Sequence, residues 1–146
     1  MLSPSESKVY FFKEKVEVRV SQRVTLKKTV ERLFKAEGKR LNTMSYIFST
    51  DEDLRRINRQ YLKRDNYTDI ITFDLSENGN VIAGESYISV DRLRENALKL
   101  ETPFRMELWR VVFHGALHLC GYRDKTKRQK KEMRAKENFY LQRLRG

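Results

Sequence analysis

The run VVFHGALHLC at residues 111–120 is apolar except for His114 and His118, the only two histidines of the chain. Thr102-Pro103 provides a helix cap and a first-turn proline, and Gly121 is typical of the position just beyond a helix end. The pattern predicts a long helix that runs to about Cys120 and carries both histidines.

Histidines four residues apart on a helix lie about 40° apart around the axis and one turn apart along it, so they can share one metal ion. Catalytic zinc usually takes three protein ligands and a water, so a third ligand is needed. Gly121 allows the chain to turn back, and Asp124 then offers a carboxylate oxygen. Glu85 and Glu107 are the next candidates. The alternative is a pair of core histidines bonded to backbone carbonyls, with Asp124 an ordinary loop acid.

The remaining hydrophobic patterns predict both strands and helices. Strands are expected at residues 9–12 and 16–20, as one hairpin or one bent strand, and at 44–49, 69–73 and 81–90, the last two forming an antiparallel hairpin through Asn78-Gly79. Further helices are expected at 25–37, 50–61, 91–100 and 126–144. The order predicts an α/β (α+β) single domain over residues 9–146, with a mixed sheet of roughly four strands and about five helices, after a loose end at residues 1–8.

The chain is strongly basic, with 31 Lys and Arg against 20 Asp and Glu and a net charge of +11 at pH 7. This excess favours a polyanionic partner, either nucleic acid or an anionic membrane surface. We expect no membrane insertion or export, because no apolar run approaches the roughly 20 residues of a span and the N-terminus lacks a signal pattern. Cys120 is the single cysteine and has no disulfide partner, which favours a reducing, cytoplasmic location.

Four motifs are recognisable in the sequence: NRQY at 58–61 with TDIITF at 68–73, GESYIS at 84–89, HGALHLCGYRD at 114–124, and EMRAKENFYL at 132–141. In this order they resemble the motifs of the YbeY family of single-domain endoribonucleases. HGALHLCGYRD is similar to the family signature HGxLHLxGYDH. The resemblance implies a mixed sheet flanked by helices, one zinc ion on the histidine helix, and metal-dependent cleavage of single-stranded RNA. It also implies a role in 16S rRNA 3′-end maturation and ribosome quality control, with ribosomal RNA and the small ribosomal subunit as partners.

Two positions depart from the family pattern. The family's third histidine falls on Asp124, so the implied metal set is His114, His118 and Asp124, and a carboxylate is a harder ligand that weakens the preference for zinc. The family's arginine after the N-x-x-Y tyrosine falls on Leu62. Arg64, two residues later, is the candidate to replace it at the phosphate as a catalytic residue.

The chemistry of the motif favours a phosphodiester substrate over a peptide. Gly115 occupies the position where a zinc protease carries its glutamate base. The last 24 residues contain ten Lys or Arg and begin beside the metal motif. They can hold a phosphate backbone without reading its sequence, although such a run is often only a solvated helix face. The candidate RNA-binding residues are Lys125, Lys127, Arg128, Lys130 and Lys131.

Two alternatives remain open at this point. The protein could be a basic RNA-binding factor of ribosome assembly with a purely structural metal, although a structural zinc normally has four protein ligands. It could also be a metal-dependent hydrolase of another substrate such as a peptide, against which Gly115 and the net charge both count.

Overall fold

The computed structural model describes residues 7–145, which form one four-stranded mixed sheet and five helices. The predicted α+β architecture is therefore confirmed. Residues 1–6, most of the expected loose N-terminus, lie outside the described part of the chain. The elements in chain order are β1 Val9–Lys13, α1 Arg23–Ala36, β2 Arg40–Ser49, α2 Asp51–Leu62, β3 Ile70–Asp74, β4 Val81–Ser89, α3 Val90–Leu100, α4 Phe104–Leu119 and α5 Lys127–Arg145.

The strands lie in the order β1-β2-β4-β3. β1 pairs with β2 and β2 with β4 in parallel, and each parallel pair is joined by a crossover that contains a helix. β3 and β4 form the antiparallel hairpin that Asn78-Gly79 predicts. The predicted strand at 16–20 is wrong. Lys15 adopts a left-handed conformation, and Val18 is buried against the core without a strand partner, so the alternation there reflects packing of an irregular segment.

The two faces of the sheet are covered by different helices. Ile88 of β4 belongs to the large core cluster that also contains the apolar residues of α1, α4 and α5. Tyr87, the next residue back along the strand, packs on the opposite face against Leu54 and Ile57 of α2. This alternation is the ordinary consequence of a two-residue side-chain period in a strand. It places α2 and α4 on opposite sides of the β3-β4 edge.

The N-terminal cap predicted for α5 is present in the structure, whereas the one predicted for α4 is not. Thr126 and Gln129 form the predicted reciprocal capping box at the start of α5, with both backbone N–H groups bound at 3.1 Å. The predicted cap at Thr102 is wrong, because α4 begins at Phe104 with Pro103 at its N-cap. The backbone N–H of Thr102 instead closes the end of α3. No helix built from the described residues combines the length and apolarity needed to cross a bilayer.

Candidate metal centre

Gly115 allows α4 to pack closely on the sheet beside the two histidines. A Cβ atom at this position would lie 2.7 Å from Oγ of Ser86 and 3.3 Å from Oγ1 of Thr72. These two hydroxyls are themselves hydrogen-bonded at 2.8 Å across β3 and β4. The helix therefore has no room here for the glutamate base of a zinc protease, and His114 and His118 are held at a fixed height above the sheet edge.

The two histidines and Asp124 converge, as the sequence predicts. Oδ2 of Asp124 lies 3.2 Å from Nε2 of His114 and 3.6 Å from Nε2 of His118. Donor atoms about 2.0–2.1 Å from a tetrahedral zinc ion are separated by about 3.3 Å. Within residues 7–145, these three are the one group of His, Cys, Asp or Glu side chains whose ligand atoms are close enough to share an ion, all within 4.8 Å of one another.

The turn after α4 brings Asp124 back to the histidines. Gly121 has a φ of 104°, a conformation that side-chain-bearing residues rarely adopt. Its N–H donates to the carbonyl of His118, and the N–H of Tyr122 donates to that of Leu117, both at 3.0 Å. This pair of bonds is the Schellman motif, which ends a helix and reverses the chain.

The outer nitrogen of each imidazole ring has its own partner. Nδ1 of His114 lies 2.7 Å from Oε2 of Glu137 on α5, and Nδ1 of His118 lies 2.9 Å from the carbonyl oxygen of Tyr122. Glu137 is buried, with a side chain only 6% exposed, and it also accepts a hydrogen bond from Arg110 at 3.0 Å. When Nδ1 donates in both rings, both Nε2 lone pairs face Asp124. Such partners orient metal-binding histidines and raise their basicity.

The two histidines differ in their electrostatic surroundings. Burial alone would lower the pKa of His114, but the hydrogen bond to Glu137 and the charges of Glu137 and Asp124 raise that pKa above its usual value. Burial and the neighbouring His114 lower the pKa of His118, against the opposing effect of Asp124. The site thus has carboxylates placed to compensate positive charge, whether a proton or a metal ion carries it.

The site lies between two clefts, which share His114, Asp124 and Asp69. The first cleft, about 420 Å³, runs between the α2-β3 segment and the histidines, and both Leu62 and Arg64 line it. The second cleft, about 370 Å³, runs between α3, α4 and α5.

The sequence-predicted residues are distributed unevenly around these clefts. Arg64 lines the first cleft, and Lys130 lines the second. The other candidate RNA-binding residues are exposed and line neither cleft: Lys125, Lys127, Arg128 and Lys131.

Neither alternative third ligand joins the ligand group. Glu85 accepts a hydrogen bond from Tyr87 at 3.0 Å on the α2 face of the sheet. Glu107 lines the second cleft. Glu137 was not predicted as a site residue, although the sequence contains one signal for it. It is a carboxylate in the buried stripe of α5, one turn after Met133 and one turn before Leu141.

The chain matches the family model described as endoribonuclease YbeY over residues 9–145. It is similar to the endoribonuclease YbeY of Cytophaga hutchinsonii, 43% identical over 93% of this chain and 95% of that protein. It is also 50% identical to the endoribonuclease YbeY of Phocaeicola vulgatus over 71% of this chain and 75% of that one. The solution structure of TM1509 from Thermotoga maritima superposes with a TM-score of 0.66 at 29% identity, covering 93% of this chain and 88% of that chain. The chain belongs to the endoribonuclease YbeY family.

Proposed function

We propose that this protein is a metal-dependent endoribonuclease that cleaves single-stranded RNA at the His114, His118 and Asp124 site. Its proposed role is 16S rRNA 3′-end maturation and ribosome quality control in the cytoplasm, with the small ribosomal subunit as partner. Family membership supports an RNA-cleaving hydrolase. The observation that carries the metal dependence is the convergence of two imidazole nitrogens and one carboxylate oxygen between two open clefts.

The donor set fits a zinc ion. Two imidazoles and one carboxylate are a common protein contribution to catalytic zinc, which keeps a further position for water or substrate. The hydrogen bonds at both Nδ1 atoms fit the same role, because they leave Nε2 unprotonated when the rings are neutral. The carboxylate makes the set harder than three histidines, so we propose Zn²⁺ as the resident ion while expecting some tolerance of other divalent metals.

Arg64 is the candidate group for binding the phosphate. The residue follows the left-handed end of α2 at Lys63, and its backbone N–H is fixed to the carbonyl of Asn58 at 3.1 Å. The neighbouring carboxylate of Asp65 pairs with Arg55 and Arg59 on α2. Arg64 itself lines the first cleft, where its guanidinium can stabilise charge that develops on a phosphoryl group.

When bound, a zinc ion supplies a water of lowered pKa and polarises a phosphoryl oxygen. The protein's own residues supply the rest of the chemistry. Glu137 and the carbonyl of Tyr122 orient the imidazoles, and Arg64 binds the phosphate in the first cleft. The basic segment at residues 125–131 extends from the same site and attracts the RNA backbone by charge.

The two alternative functions are less well supported. A purely structural zinc normally has four protein ligands, and the part of the chain that the structure describes offers three at this site. Peptide hydrolysis of the zincin type needs a glutamate next to the first histidine, and the close contact of Gly115 with Ser86 leaves no space for one.

The test is cleavage of an end-labelled single-stranded RNA and of its duplex by purified protein, before and after metal removal by a chelator. We expect cleavage of the single strand, loss of that cleavage on chelation, and recovery when zinc is restored. His118→Ala should be inactive, and Glu132→Gln, which changes an exposed carboxylate of α5, should behave as wild type. Cleavage that persists at full rate after complete metal removal would contradict the proposal.

A further inference from the structure

The second cleft combines apolar side chains with a strongly polar and charged lining. Its walls include the apolar side chains of Leu100, Val111 and Met133, and its polar lining includes Glu107 and the amide of Asn96. A cleft of about 370 Å³ is within the size range of small-molecule pockets, roughly 300–1,000 Å³. Most of the lining residues are polar or charged, so the cleft suits a flat ring that has an apolar face and a hydrogen-bonding edge.

Glu107 differs from the other buried carboxylate of this cleft. Glu137 uses both oxygens, one for His114 and one for Arg110. Glu107 is only 7% exposed, and within residues 7–145 its carboxyl group has no hydrogen-bond or ion-pair partner. Burial raises the pKa of Glu107, against the opposing positive charges of Arg110 and Arg134. The carboxyl oxygens of Glu107 remain accessible from the cleft, so a ligand bound there would meet two acceptors that no protein group uses.

The chemistry of a carboxylate selects among the four bases. A carboxylate offers two adjacent acceptor oxygens and no donor. Guanine presents two adjacent donors, N1–H and the N2 amino group, on one edge, whereas adenine and cytosine each place a ring acceptor beside their amino group. Uracil has a single N–H between two carbonyl oxygens. The amide of Asn96 can in addition donate to the O6 carbonyl of guanine.

We propose that the second cleft binds a guanine base of the RNA substrate, with Glu107 accepting hydrogen bonds from N1–H and N2–H. The inference rests on the proposed function, because the cleft shares His114 and Asp124 with the metal site and so holds a nucleotide next to the cleaved phosphate. Lys130 and Arg134 line the same cleft and supply positive charge for the flanking phosphates. Arg64 lies on the other side of the metal site, in the first cleft, so the RNA strand crosses the site from one cleft to the other.

The first test is binding of GMP, AMP, CMP and UMP to the zinc-loaded protein, followed through backbone amide shifts. Ribose and phosphate are common to all four, so a difference in affinity reports the base alone. We expect GMP to bind about tenfold more tightly than the others, the lower end of the discrimination from one bidentate contact. Inosine monophosphate, which lacks the N2 amino group, should bind several-fold more weakly than GMP. Equal binding of all the nucleotides, or no measurable binding of GMP, would overturn the assignment.

The second test is Glu107→Gln, which replaces one acceptor by a donor at nearly constant volume. The variant should lose the preference for GMP while its affinity for UMP changes little. The matched control is Glu85→Gln, on the opposite face of the sheet, which should keep the preference. A preference for GMP that survives in a folded Glu107→Gln protein would also overturn the assignment. If that variant fails to fold, the wild-type protein still tests the assignment, because equal binding of GMP and inosine monophosphate would contradict a contact with the N2 amino group.

Failure of the cleft assignment and failure of the proposed function give different results. Metal-dependent cleavage of RNA without any base preference would remove the guanine site and leave the nuclease. A guanine preference in binding, without cleavage of any RNA, would leave the site and remove the nuclease.

Discussion

Nδ1 of His114 lies 2.7 Å from Oε2 of Glu137, a buried carboxylate on a different helix from the histidine motif. The contact joins α4 to α5, and it fixes which nitrogen of His114 faces Asp124. Arg110 donates to the other oxygen of Glu137 at 3.0 Å, so the carboxylate is held in place from both sides. The proposed metal site thus depends on the terminal helix as well as on the HGALH segment.

Replacing Glu137 should weaken metal binding although Glu137 is not a ligand. Glu137→Gln keeps the size of the side chain but removes the charge that favours donation from Nδ1 of His114. We expect zinc affinity to fall by about 10- to 100-fold, the usual effect of losing such a partner. Competition with a chromophoric chelator measures the affinity, and nitrogen shifts of the His114 ring report its tautomer. The control is Glu132→Gln on the same helix, which should bind zinc as the wild type does. Equal zinc affinity in the wild type and both variants would contradict a role of Glu137 in orienting His114.

Much of the proposed site could be predicted from the sequence because its candidate ligands are close together along the chain. His114, His118, Gly121 and Asp124 lie within eleven positions, and helix periodicity with a glycine turn is enough to bring them together. Glu137 could not be placed in this way, because its contact depends on how α5 packs across α4. Its position among the buried residues of α5 was the one available signal, since a carboxylate at such a position requires a partner.

The fold shows the same division between local and non-local information. The β3-β4 hairpin and the capping box at Thr126 follow from neighbouring residues, and both were predicted. The parallel pairing of β1 with β2 depends on a crossover through α1 and could not be deduced from the strands alone. For the same reason Val18 was misassigned to a strand, because alternation shows which side chains are buried and does not show whether a strand partner exists.

Arg64 should affect cleavage without affecting the metal. Arg64→Ala is expected to reduce the cleavage rate by about 100-fold, as for the loss of one group that stabilises transition-state charge, while zinc content stays the same. Leu62→Arg in the Arg64→Ala background should recover part of the rate, since both positions line the first cleft. Arg59→Ala is the control, because Arg59 lies near Asp65 and does not line the cleft. An unchanged rate in Arg64→Ala would assign phosphate binding to another residue.

The basic segment should contribute salt-dependent, sequence-independent affinity. Replacing Lys127, Arg128, Lys130 and Lys131 together by Ala should weaken binding to all single-stranded RNAs. The slope of log affinity against log salt should fall by about 0.7 for each phosphate that the protein no longer neutralises. Zinc content should not change. Replacing four exposed cations elsewhere, Lys28, Arg32, Lys35 and Arg40, makes the same change in net charge and should reduce the slope less. Equal effects of the two sets would show that only net charge matters.

Glu37 should stabilise the fold in a pH-dependent way. Its carboxylate accepts hydrogen bonds from Tyr122, Lys136 and Tyr140 at 2.8–3.0 Å, joining the end of α1 to α5 and to the turn before Asp124. Burial opposes ionisation, but these three hydrogen bonds together hold the pKa of Glu37 below its usual value of 4.5. A lowered pKa in the folded state means that the stabilisation is complete above pH 4.5 and is lost as the pH falls through the folded value.

Glu37→Gln should therefore lower the free energy of unfolding at pH 7 by about 1.5–3 kcal/mol, the range for hydrogen bonds to a charged group. The difference in the free energy of unfolding between variant and wild type should become smaller as the pH falls below 4.5. Urea unfolding at a series of pH values measures both quantities. If this difference in free energy is the same from pH 7 to pH 3, the ionised form of Glu37 does not stabilise the fold more than the neutral form does.

Asp124 is the position at which the proposed metal site departs from the family signature. Asp124→Ala leaves two histidines, and two ligands hold zinc far more weakly than three. Asp124→His restores the family residue and should retain the ion, because an imidazole is also a zinc ligand and the side chain of residue 124 is 40% exposed. A loop aspartate without a role in the site would give no change in metal content in either variant.

Elemental analysis of the wild type, Asp124→Ala and Asp124→His, purified side by side and assayed on the same RNA, tests the metal-dependent site most directly. We expect about one zinc ion per chain in the wild type and in Asp124→His, by the stoichiometry of a three-ligand catalytic site. Asp124→Ala should contain a small fraction of that amount and should lose cleavage in proportion. Full metal occupancy in Asp124→Ala, or undiminished cleavage by metal-free protein, would contradict the assignment.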